Sequence, residues 1–132
     1  MALIESELIV GADDLGHDVK FFGATSGKYL LWDESADTLR AADGTPITFG
    51  NGDDLQIYHD GSNSYIKDAG TGNLSVLTNS FRLLNAAANE NMIQATEDGA
   101  VILYHNNVAK VTTVAGGVEI TGELQADTLD ID

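Results

Sequence analysis

The chain has 132 residues, with 6 Lys and Arg against 21 Asp and Glu, giving a formal charge of -15 at neutral pH. A surface of that sign repels phosphate, which argues against nucleic acid and against an anionic membrane as partners. There are no cysteines, so disulfides and thiolate-bound zinc are excluded and stability has to come from burial, within the chain or between chains.

Residues 1–16, MALIESELIVGADDLG, have an apolar burst from Leu8 to Val10 followed by glycine and acids. The N-terminus carries acids where a secretory leader would carry lysines, and no apolar run in the chain approaches the ~20 residues that cross a bilayer as a helix. This segment reads as an N-terminal docking arm or a capping strand, with Leu8 and Val10 as interface residues. His17 follows as a turn residue. Residues 17–132 read as one repeat-containing β shaft domain, because their apolar residues alternate. Val19 and Phe21 open the series. GATSGK, Gly23 to Lys28, then reads as a hairpin turn; it lacks the glycine–lysine spacing of a phosphate loop. A second strand resumes at Tyr29 and runs through Trp32, an isolated tryptophan predicted to lie at an interface.

The alternation continues along the chain with Leu55 and Ile57, Leu74 and Val76, Phe81 and Leu83, Val101 and Leu103, Val118 and Ile120, and Leu129 and Ile131. Period two means strands with one face buried, and runs of this length are ordinary strand length. In LLNAAANENMIQA, Leu83 to Ala95, three successive alanines suggest helix. The asparagines and the absence of caps favour a turn between two short strands. The chain's end, with Leu129 and Ile131, forms an adhesive edge that needs a partner.

A motif recurs along this pattern. DVKFFGATSGKYLLWDESADTL from Asp18, DLQIYHDGSNSYIKDAGTGNL from Asp54 and AVILYHNNVAKVTTVAGGVEI from Ala100 share one plan. Each opens with a small or acidic residue, then apolar-x-apolar-aromatic, then a polar turn, then a second strand. Strand–turn–strand modules with no covering helix must stack on each other or on other chains. Homotrimerisation buries the faces and closes the edges together. The stripe assigned to the trimer core is Leu55, Ile57, Val101, Leu103, Val118 and Ile120. A compact β-sandwich is the alternative architecture.

The second motif, together with NAAANENMIQATEDGAVILYHNN and KVTTVAGGVEITGELQADTLDID, resembles the shaft modules of tailed-phage structural proteins, especially tail-fibre-like proteins of environmental and cyanobacterial phages. The first is similar to a module of the same set, so the resemblance spans about residues 17 to 132. It implies an all-β fold of short-strand modules, elongated and intertwined as a homotrimeric β-helix or β-prism. It also implies location in the virion and contacts with other virion proteins. No large receptor-binding head, enzymatic β-helix domain or autocleaving chaperone tail is legible. A capsid decoration or cement protein, or a self-polymerising filament subunit, is therefore the alternative. A carbohydrate-binding module contacting host-surface glycan is a further one.

The chemistry-bearing residues are few. His59 and His105 occupy one place in two motifs and share parity with the apolar stripe. A three-fold axis would gather three imidazoles of each into a metal-binding ring, against the simpler reading of a strand-end residue bonded to its turn. The carboxylates at Asp13–Asp14, Asp33 and Asp37, Asp53–Asp54 and Asp127–Asp132 match no calcium loop. Asp33 and Glu34 are adjacent, and adjacent residues on a strand point to opposite faces, which argues against a glycosidase pair. No serine sits in a nucleophile elbow. The chain is read as a non-enzyme without a cofactor, a divalent cation being the one class left open.

Overall fold

The computed structural model describes residues 7–130. Ile131, assigned above to an interface, lies outside the described residues. Among those described the chain is all-β, with eleven strands in three antiparallel sheets and one short 3-10 turn at Glu34–Ala36. Its contacts divide it into two units, residues 1–74 and 75–132.

The first unit holds two three-stranded sheets. The first sheet is the meander β1 (Val19–Phe22), β2 (Tyr29–Asp33) and β3 (Thr38–Ala41). The second is the meander β4 (Ile47–Phe49), β5 (Leu55–His59) and β6 (Ser64–Asp68). The second unit is one five-stranded meander: β7 (Ser80–Leu84), β8 (Asn91–Thr96), β9 (Val101–His105), β10 (Val108–Val114) and β11 (Gly117–Ile120). Every pairing joins strands adjacent in sequence, so each sheet forms from local contacts alone.

All three motif cores open hairpins: β1–β2, β5–β6 and β9–β10. The turns explain why. Gly23–Lys28 closes β1–β2, with the Gly23 amide donating to the Lys28 carbonyl at 2.9 Å. Asn106 and Asn107, with φ of 47° and 59°, form the two-residue turn of β9–β10. Two consecutive left-handed residues give a turn whose twist matches the strands, and asparagine tolerates that region. The LLNAAANENMIQA segment is a hairpin rather than a helix, joining β7 to β8. Its turn is organised by Asn85, whose Oδ1 accepts from the backbone amides of Asn89 at 3.1 Å and Glu90 at 3.3 Å.

The expected burial is missing from the single chain. Among the described residues no side chain, apolar or polar, is buried. Within each unit, among the described residues, the strands in close contact are hydrogen-bonded neighbours. The β-sandwich alternative requires sheets stacked face to face, and within neither unit does one sheet stack on another.

Candidate assembly surface

Strand register fixes which side chains share a face, because directly opposed residues lie on the same side of a sheet and neighbours along a strand alternate. In the first sheet Val19, Trp32 and Leu39 form one row, and Phe21, Leu30 and Ala41 the next. That face is wholly apolar. The opposite face carries Lys20, Phe22, Tyr29, Leu31, Asp33 and Arg40, with the Lys20 Nζ 3.7 Å from the Tyr29 ring centre and Arg40 paired to Asp33 at 3.0 Å. Asp33 is held below the usual carboxylate range by its hydrogen bond from Ser35 and by the Arg40 charge.

The second sheet repeats the arrangement. Ile47, Ile57 and Ile66 form one row, and Phe49 and Leu55 stand in the next, with Asp68 at its end. On the other face Tyr58 stacks on Tyr65, with centroids 4.7 Å apart. In the third sheet one apolar row, Leu83–Ile93–Leu103–Val111–Ile120, crosses all five strands. Phe81, Ala95 and Val101 extend it on one flank, and Val118 shares the face. The reverse face carries Arg82, Gln94, Ile102, Thr112 and Glu119, and there the Tyr104 hydroxyl donates to Gln94 Oε1 at 3.2 Å.

The apolar faces are open. Phe21 is 62% exposed, Ile66 67% and Val118 60%. On the polar faces Tyr58, Tyr65, Ile102 and Tyr104 are half-buried by their own neighbours. Leu30, Leu55, Ile93 and Val111 on the apolar faces are half-buried too, and Phe22 on the opposite face is 77% exposed, so both sides of each sheet meet water.

All six residues assigned from the sequence to a buried stripe lie on these faces: Leu55 and Ile57 on the second sheet, Val101, Leu103, Val118 and Ile120 on the third. Trp32 lies on the apolar face of the first sheet. It also lines a cleft with Asp13, Asp14, Leu15, Glu34 and Asp37. Leu8 is 68% exposed and Val10 46%, and Leu129, at 62%, belongs to no strand. Sequence reasoning missed Leu30, Leu39, Ile47, Phe49, Ile66, Ile93 and Val111. Ile47-x-Phe49 carries the alternation signal in miniature. Leu30 is hidden in the unbroken run YLLW, where parity is uninformative.

His59 stands on the apolar side of the second sheet, opposite Ser64, and its Nδ1 lies 3.1 Å from Ser64 Oγ. His105 stands opposite Val108 at the β9–β10 turn. Among the described residues no group of three or more His, Asp or Glu is arranged to hold a metal ion. The motif aromatics Phe22, Tyr58 and Tyr104 all lie opposite the apolar rows, as their parity predicts, and their partners are cross-strand neighbours. No protein-family model matches the sequence, and no match was found among curated proteins or solved structures.

Proposed function

We propose that this chain is a non-enzymatic structural subunit of a phage virion, of tail-fibre type, that functions as an elongated homotrimer. The observation that carries the assembly is that, among the described residues, each of the three sheets presents one apolar face and no side chain on it is buried. The resemblance of the three motifs to fibre shaft modules supplies the virion context. Contacts with other virion proteins, at the exposed Leu8, Val10 and Leu129, belong to the same reading.

Around a three-fold axis each sheet meets its own two copies. The Ile47–Ile57–Ile66 row and the Leu83-to-Ile120 row then turn inward and the charged faces turn outward. This is a β-prism: one set of apolar residues, used three times, makes a core that no single copy contains. Edge strands such as β4, only three residues long, gain neighbours across the chain boundaries, which removes an aggregation hazard. The activity is mechanical. Interchain burial yields a stiff unit whose unfolding requires separating chains, so its operational stability is a rate.

Light scattering with negative-stain imaging tests this. The expected result is a rod-like particle of three times the 14.0 kDa chain mass. A monodisperse monomer with the same strand content would overturn the proposal. Open-ended filaments would reassign the chain to a self-polymerising subunit.

A further inference from the structure

We propose that Asn51 is a site of spontaneous chemical modification, converted without an enzyme to aspartate and isoaspartate through a cyclic imide with Gly52. Of the nine asparagines, Asn51 alone precedes a glycine. The two residues occupy the middle of the turn joining β4 to β5, which is closed by the Asp53 amide donating to the Gly50 carbonyl at 3.2 Å. Both are exposed. Among the described residues neither the Asn51 side chain nor the Gly52 amide is engaged in a hydrogen bond.

The chemistry needs only water. The Gly52 backbone nitrogen, losing its proton to solvent base, attacks the Asn51 side-chain carbonyl carbon. A ring C–N bond forms, the bond to the side-chain nitrogen breaks, and that nitrogen leaves as ammonia with a proton from water. Hydrolysis of the ring at one carbonyl gives aspartate, and at the other isoaspartate, in which the main chain runs through the former side chain. A glycine partner favours ring closure because it has no Cβ to shield the nitrogen and leaves the backbone free to rotate.

The competing positions are tied down. Asn63 and Asn79 each precede a serine. Asn63 donates its backbone amide to Asp60 Oδ1 at 2.8 Å. Asn79 donates its side chain to Glu97, and the following Ser80 amide donates to Thr78 Oγ1 at 3.2 Å. Asn85, Asn91 and Asn107 are engaged in turn or cross-strand hydrogen bonds. Asp60, which precedes Gly61, is an ionised carboxylate accepting three hydrogen bonds, which makes it a poor electrophile.

The consequence is local. Conversion adds a negative charge beside Asp53 and Asp54. The isoaspartyl form also lengthens the turn's main chain next to the Phe49–Leu55 pair, the first of three that hold β4 to β5. Ageing of the protein would thus act on a strand that contributes Ile47 and Phe49 to an apolar face.

The test is peptide mapping by mass spectrometry of the native full chain after days at mildly alkaline pH. The expected result is the amide-to-acid mass gain at Asn51, with both isomers, well ahead of Asn63 and Asn79. Gly52→Ala should slow it by an order of magnitude, and Asn51→Gln should abolish it. A side chain at Gly52 would meet only the exposed Asp54 side chain, nearest at its Oδ1 at 3.0 Å, so this variant retains the turn. Conversion of Asn63 or Asn79 at the same rate or sooner in the wild-type chain would overturn the proposal. So would an unchanged rate in Gly52→Ala.

Discussion

Asp60 has the most fully built environment of any ionisable residue among those described. Its Oδ1 accepts from the backbone amides of Ser62 and Asn63, both at 2.8 Å, and its Oδ2 from the Tyr65 hydroxyl at 2.8 Å. Hydrogen bonds to the charged form favour it, so the carboxyl is held at about 2 rather than 3.8, with the Asn63 amide the largest cause. The same bond pushes the Tyr65 hydroxyl above its usual value of 10.0. A depressed carboxylate stabilises the fold fully above its unfolded value and loses that contribution as pH falls through the folded one. The stabilisation by Asp60 is thus complete above pH 3.8 and vanishes as pH drops through about 2. A carbon-detected NMR titration should find its midpoint near 2, and Tyr65→Phe should move it up towards 3.8. A wild-type midpoint at the ordinary value would mean the turn does not form as described. The sequence DGSNSY announces a turn at this point. Three donors converging on one carboxylate depend on strand register across the hairpin, which residue types alone do not specify.

The strands make two further predictions. Asn106 sits at φ 47° in the β9–β10 turn, a region that costs an ordinary L-residue roughly 1–2 kcal/mol. Asn106→Ala should destabilise the chain by up to that amount in thermal melts, while Asn106→Gly should be tolerated. Leu103 and Ile102 are neighbours on β9 but belong to opposite faces. In the proposed assembly Leu103 is covered by other chains. Leu103→Ala should then weaken association by roughly 2 kcal/mol per chain, the value of burying one large aliphatic side chain, whereas Ile102→Ala should leave association nearly unchanged. Sedimentation across a concentration series separates the two. Equal effects would mean that the apolar face is not the assembly face. Much of this scale was legible beforehand. Parity places Val101 with Leu103, and Val118 with Ile120, on one side of their own strands without coordinates. Val111 escaped because a bulge between Ala109 and Val111 breaks the regular alternation of β10.

For the whole molecule the central fact is a set of ordered strands with no buried side chain among the described residues. A folded state held by its neighbours gains stability by mass action, so its melting temperature should rise with protein concentration. Calorimetry at two concentrations checks this, and a concentration-independent transition would point to a self-sufficient monomer. The short hairpin-to-hairpin connections also make each sheet a low-contact-order unit, expected to form quickly. Chain association should therefore be the slow, concentration-dependent step of refolding, visible as a lag between the recovery of strand signal and of particle mass.

The sequence by itself determined the all-β class, most of the turns, and which residues of each strand share a side, because period-two alternation and asparagine- or glycine-rich turns act over a few residues and need no tertiary partner. The six residues it assigned to a trimer core lie on the apolar faces. Only the tertiary structure decided that these stripes do not fold onto one another within either unit. That outcome depends on every strand pairing with its sequence neighbour, which spreads the apolar residues over single-layer sheets. The rows Ile47–Ile57–Ile66 and Leu83–Ile93–Leu103–Val111–Ile120 are products of strand register: three and five separate segments must align before a shared face exists.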